Sequence, residues 1–390
     1  MPAKACGKRL DTGEVVTLSI TESRITGFQP GVEGDALGGP ELWLSPGFFD
    51  LQVNGYGGRD FNLGDADDAS GDQHDLGPLF DALARSGTAL FCPTILTNSA
   101  ERITAALTHV SHALNSEPSW ARRVPGIHLE GPYFSAEAGP RGAHPLAHVR
   151  DPDWDEFQRF QEAAEGRIKL CTLAPERDGA LPFIEKLVAS GVVVALGHTA
   201  ASASQISDAV SAGARLSTHL GNGSHALLPR HPNYIWEQLA HDDLYATIIA
   251  DGEHLPVSVV KCFARIKGAE RLALVSDAVA LGGLPAGLYD GGRHEVLPSG
   301  RVVLAGTPYL AGAGVLLDVC IANALRFTDL SLAQVMGCVS AIPARILGLE
   351  DRKGHLQVGY DAELTLFHVP EAGPLEIAAT VCAGEVIYRA

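Results

Sequence analysis

The chain has 390 residues, 46% of them hydrophobic, which is enough for a (β/α)8 barrel of about 250 residues plus a smaller accessory domain. A formal net charge of −17 opposes nonspecific nucleic-acid binding, because phosphate contacts need clustered Lys and Arg, and no apolar run approaches the roughly 18 residues that cross a bilayer. Seven scattered cysteines, odd in number and never spaced C-x-x-C, exclude a disulfide framework or a thiolate zinc site.

In chain order, residues 1–43 hold short extended runs with Gly-rich turns, such as Glu14 to Ile20, and no apolar segment follows the basic residues at the start. A secretory signal is therefore not expected, and the sequence reads as cytoplasmic. Eight β-rich runs follow: Leu44 to Val53, Thr88 to Leu96, Val124 to Glu130, Ile168 to Ala174, Val192 to His198, Arg215 to His219, Leu244 to Ala250 and Arg271 to Asp277. Helical periodicity falls between them at Asp75 to Ser86, Ala100 to Asn115, Asp153 to Ala164, Ala180 to Ser190 and Ser202 to Ala212. Asp65 to Asp75 reads as a solvated polar loop. Alternating strands and helices predict a parallel sheet, and eight repeats favour closure into a TIM barrel over a doubly wound open sheet. Residues 350–390 return to short strands such as Glu363 to His368. The expected organisation is α/β: a (β/α)8 barrel over 44–349, with a small β-sandwich domain built from both termini, 1–43 and 350–390.

In such barrels the chemistry gathers at the C-terminal ends of strands. Strand three ends in Glu130, strand five in His198, strand six in His219 and strand eight in Asp277. Two imidazoles and a carboxylate are the ligand set of a catalytic site that leaves one position for water, whose pKa the metal lowers toward neutrality. Asp277 then stands ready to accept a proton from that water. His128 lies two residues before Glu130 and shares its face of the strand, which suits a packing or supporting role better than ligation.

At these residues the chain resembles the amidohydrolase superfamily and, within it, the N-acetylglucosamine-6-phosphate deacetylases. Five stretches carry the resemblance: Pro46-Gly-Phe-Phe-Asp-Leu-Gln-Val-Asn-Gly55, His128-Leu-Glu-Gly-Pro132, Leu196-Gly-His-Thr199, Ile249-Ala-Asp-Gly-Glu-His254 and Leu274-Val-Ser-Asp277. Many amidohydrolases carry His-x-His on strand one and hold a second metal there. Here those positions are Gln52 and Asn54, poor ligands, so the resemblance implies one divalent ion per subunit, Zn2+ first, with Fe2+, Mn2+ or Co2+ compatible with the same donors.

The resemblance further implies a homodimer acting on a small amino-sugar phosphate, with neither nucleic acid nor membrane as partner. Ala143, His144, Asn222, Gly223, Arg230 and the run Asp251, Gly252, Glu253, His254 would bind the substrate, and Leu310, Ala311 and Gly312 would either close over it or pack structurally. Arg230 offers a charged planar fork for phosphate, in relatives sometimes supplied by the neighbouring subunit, with a solvated loop charge as the alternative. His144 suits a sugar hydroxyl or the amide carbonyl, or else caps a turn beside Pro145. Two departures fall beside this pocket. The usual Thr-His-Leu-x-Asn-Ala-Met is here Thr218-His-Leu-Gly-Asn-Gly-Ser224, and the segment from Glu130 to His144 is about two residues longer than usual. Deacylation of another N-acyl amino sugar or N-acyl amino acid therefore stays open, as does a noncatalytic sugar-phosphate-binding protein.

Overall fold

The computed structural model describes residues 3–63 and 75–390; all but the last residue of the predicted Asp65 to Asp75 loop lies outside them. Eight parallel strands follow one another in a single sheet: Phe48–Val53, Thr88–Leu96, Ile127–Glu130, Ile168–Leu173, Val193–Leu196, Leu216–Ser217, Tyr245–Ile248 and Leu272–Leu274. Each falls within one of the eight predicted runs. The ring closes where Val53 bridges to Ala278, reinforced by Asn54 N–H donating to the Ala278 carbonyl at 2.8 Å and Asp277 N–H to the Gln52 carbonyl at 3.0 Å. Strand Thr88–Leu96 is buried on both faces along nearly its whole length, as a strand covered by helices outside and side chains inside must be.

Three of the predicted helices begin where their sequences supply caps. Ser99 accepts from Arg102 N–H, Asp153 from Glu156 N–H, and Ser202 forms a reciprocal capping box with Gln205. The 3.6-residue period then buries one stripe: Leu79, Phe80 and Leu83 on Gly77–Arg85, Ile103, Leu107 and Val110 on Ala100–Ser116, and Phe157 and Phe160 on Trp154–Ala163.

Strands from both ends of the chain form one mixed seven-stranded sheet, in the order Glu385–Arg389, Glu376–Cys382, Leu364–His368, Leu37–Pro46, Lys4–Arg9, Val15–Thr21, Arg24–Pro30. The predicted run Leu44 to Val53 is thus two strands. Leu37–Pro46 belongs to the terminal sheet and Phe48–Val53 to the barrel, with Gly47 between them where a Cβ would stand 2.5 Å from the Ala89 Cβ. An unforeseen three-stranded sheet, Gly287–Tyr289, His294–Val296 and Val302–Leu304, is inserted after barrel strand eight. Its three-residue strands are too short to leave a periodic signal.

Candidate metal centre at the strand ends

The residues that end strands three, five, six and eight converge. Glu130 Oε1 lies 2.9 Å from His219 Nε2 and 3.3 Å from His198 Nε2, and the two imidazole nitrogens are 3.1 Å apart. His198, His219 and Asp277 hold φ values of 50°, 28° and 51°, in the left-handed region that side chains other than glycine and asparagine avoid. Three strained residues at three strand ends mark where the backbone is bent to aim a side chain.

The donor set fits a metal ion. His198 Nδ1 is spent on the Pro140 carbonyl at 2.8 Å, so in the neutral ring Nε2 carries a lone pair, and that lone pair faces a second Nε2 and a carboxylate oxygen. Donors held about 2.0–2.1 Å from one tetrahedral ion stand roughly 3.3 Å from one another, close to the spacings here. His144 adjoins the group, its Nε2 3.3 Å from that of His198, and the donor atoms of Glu130, His144 and His198 all lie within 4.8 Å of one another. His219 completes a tighter triangle with Glu130 and His198 than His144 does, because it touches the carboxylate oxygen directly.

Charge state follows environment. Burial opposes ionisation of Glu130, but hydrogen bonds from His198 and His219 outweigh it and hold the carboxyl well below its usual range. Burial likewise works against protonated His219, yet the Glu130 carboxylate keeps its pKa above the ordinary value. Burial lowers His198, and burial followed by repulsion from His198 brings His144 down to about 3, leaving a neutral ring. Asp277 is pushed up to about 6, first by burial and then by the Glu130 charge.

Gln52 and Asn54 are more than the remnant of a second metal site. Gln52 Nε2 donates to Glu130 Oε2 at 2.9 Å and to Asp277 Oδ1 at 3.1 Å, while Asn54 Nδ2 donates to the same Asp277 oxygen at 2.7 Å. The two amides tie the carboxylates together and fix Asp277. Period-two spacing on strand one could have revealed their direction, though not their partner. His128 is buried and pairs with Thr172 Oγ1 at 2.7 Å, which in turn meets Thr218 Oγ1 at 2.8 Å, so it supports the barrel interior.

The implied substrate residues divide. Asn222 and Gly223 occupy the turn directly after His219, where Asn222 N–H returns to the His219 carbonyl at 3.0 Å. Asp251 Oδ1 accepts N–H groups from Glu253 and His254, and its Oδ2 meets His254 Nδ1 at 2.7 Å, which orients the His254 ring. Gly252 and Glu253 are exposed, and Glu253 pairs with Arg301 of the inserted sheet at 3.1 Å. Leu310 bridges to Val303 of that sheet, and Ala313, just past Gly312, donates to the Asp277 carbonyl at 3.0 Å, so this stretch packs against strand eight. Ala143 is exposed beside buried His144. Arg230 is exposed on the loop that follows and makes no hydrogen bond or ion pair among the described residues.

A closed parallel barrel with carboxylate and imidazole donors gathered at its strand ends defines the class: a hydrolase scaffold built around a metal-binding group. The chain belongs to the amidohydrolase family, whose model matches residues 43–387, and within it to the N-acetylglucosamine-6-phosphate deacetylases. It is 33% identical over 347 residues to the N-acetylglucosamine-6-phosphate deacetylase of Bacillus subtilis, covering 88% of this chain and 84% of that one. The crystal structure of the Mycobacterium smegmatis deacetylase superposes with a TM-score of 0.86 at 28% identity, covering 99% of this chain and 100% of that one. An alanine variant of one aspartate in that protein, solved in complex with N-acetyl-D-glucosamine-6-phosphate, gives 0.85 at 28% identity, covering 99% of each chain.

Proposed function

We propose that the protein hydrolyses N-acetyl-D-glucosamine 6-phosphate to D-glucosamine 6-phosphate and acetate, using Glu130, His198 and His219 to hold one divalent ion, Zn2+ first, and Asp277 as proton carrier. The observation that carries this reading is Asp277 itself, a strained, half-buried carboxylate held by two amides beside the donor triangle. The bound ion would supply Lewis acidity and a water of lowered pKa. Asp277 would take a proton from the attacking water as the water oxygen bonds to the carbonyl carbon of the N-acetyl group, and would deliver that proton to the nitrogen as the C–N bond breaks, so that the amine leaves neutral. Neutral His144 and the Asp251-oriented His254 would hydrogen-bond the sugar and the amide carbonyl. Acetate release from the phosphorylated and unphosphorylated sugar, with metal analysis of the same sample, tests the reading. Equal turnover of both sugars would reject the phosphate specificity.

Asn54 supplies the shortest hydrogen bond to Asp277, and that bond favours the ionised carboxylate. Asn54→Ala is therefore expected to move the acid limb of kcat/KM to higher pH by about half to one unit. A pH profile with an unmoved limb would show that Asn54 does not tune the base.

The phosphate is assigned to Arg230 in a homodimer, reaching the neighbouring subunit's pocket. Its exposed guanidinium, with Leu227 91% and Trp236 52% exposed on the same loop and following helix, supports that placement. Arg230→Ala should raise KM for the phosphorylated sugar about 10–100-fold, from loss of a charge-assisted contact of roughly 1.5–3 kcal/mol, and leave the unphosphorylated sugar unaffected. Equal effects on both would remove Arg230 from phosphate binding. Seven unpaired cysteines, six of them buried, support a reducing, cytoplasmic location. No helix among the described residues is long and apolar enough to cross a membrane.

A further inference from the structure

Two segments meet around one imidazole, the one that follows Glu130 and the turn after His219. The segment after Glu130 brings the Pro140 carbonyl to His198 Nδ1 at 2.8 Å and Ser135 N–H to the His198 carbonyl at 3.0 Å. A Cβ on Gly223 would stand 2.6 Å from His198 Nδ1 and 3.1 Å from the Pro140 oxygen, and φ there is +55°. The Phe134 ring, 4.5 Å from the His198 ring, limits any retreat, and Gly142 closes a further side.

The two segments are also tied together farther out. Tyr234 Oη accepts the His225 N–H at 2.8 Å and meets His225 Nδ1 at 3.0 Å, while His225 Nε2 meets Glu137 Oε2 at 3.0 Å. Donor and acceptor order is satisfied along the chain if Tyr234 donates to Nδ1 and Nε2–H donates to Glu137. Gly139 packs on this junction, where a Cβ would lie 2.9 Å from the His225 Cα.

We propose that Gly223, Tyr234, His225 and Glu137 are positioning residues: they clasp the segment after Glu130 against the turn after His219, so that Pro140 holds His198 with Nε2 presented to the metal. This rests on His198 being a metal ligand, as proposed above. Glu137 is largely solvent-exposed, so its tie is the weakest of the set. Gly223 and Tyr234 carry most of the effect.

The test is the metal dissociation constant of the purified protein, measured with Zn2+ against a competing chelator and without substrate. Loss of a group that orients a metal-ligating histidine weakens binding about 10–100-fold. Gly223→Ala and Tyr234→Phe are each expected to show about 10-fold weaker Zn2+ binding at an unchanged ion count, and Glu137→Ala a smaller loss in the same direction. Combining Tyr234→Phe with Glu137→Ala should add little, because both break one chain. Gly223→Ala and Tyr234→Phe proteins that bind Zn2+ as tightly as the parent, with only a lowered Tm, would overturn the clasp. His198→Ala separates the two readings: if it still binds one ion with parent affinity, the ligand assignment fails and the clasp with it. A large loss in His198→Ala beside unchanged clasp variants rejects the clasp alone.

Discussion

Asp277→Asn will lower kcat by about 10²–10⁴-fold, the range for removing a positioned acid–base group, while the protein keeps its bound metal and its Tm. The asparagine is isosteric and can still meet Gln52 and Asn54, so the barrel closure around strand eight survives. What is lost is a group that can take a proton from water and give it to an amine. The pH profile carries the same test. Burial and then the Glu130 charge push Asp277 up to about 6, and a base acts in its ionised form. Activity should therefore be full above that pKa and fall as pH drops through it. A bound cation favours the carboxylate, so the limb of the metal-loaded enzyme lies at or below about 6. Retention of most activity by metal-loaded Asp277→Asn would end the proton-carrier assignment.

Removal of the metal is expected to take activity below about 1% of the loaded enzyme, since carbonyl polarisation and water activation both depend on it. One equivalent of divalent ion per chain should restore it fully. That stoichiometry tests the reading of Gln52 and Asn54 as amides that fix Asp277 and Glu130 through their N–H groups and hold no second ion. Recovery that needs two equivalents would reject the single-ion reading. Thermal stability should fall as well. An ion present at 100 times its Kd stabilises the native state by about 2.7 kcal/mol, and without it two imidazole nitrogens and a carboxylate oxygen remain crowded within 3.3 Å. A melting curve indifferent to chelation would show that the ion is not held by the folded barrel.

Much of the centre was legible because strand ends in a β/α barrel are structurally equivalent positions. Glu130, His198 and His219 are 21 to 89 residues apart in the contacts that join them, and Asp277 reaches the group through Gln52, 225 residues away, yet each closes a β run, and ring closure does the rest. Gln52 and Asn54 were legible in direction but not in role. A period-two pair on strand one points inward, and only the coordinates show that both amides end on Asp277. Arg230 marks the opposite limit: a loop cation has no periodic neighbour to fix it, and within one subunit it contacts nothing that reveals its ligand.

By itself the sequence determined the succession of eight strands, the first helices between them and the ring of donors, because these depend on local periodicity, caps and position at a strand end. Tertiary structure decided where Leu44 to Val53 divides, since Gly47 is set by contact with Ala89 on another strand. It decided the inserted sheet, whose strands are too short to announce themselves. It also decided the clasp on His198, which joins groups 58 and 88 residues apart through a backbone carbonyl and two solvent-side loops. A carbonyl acceptor has no residue-type signature, so its partner exists only once the chain has closed around it.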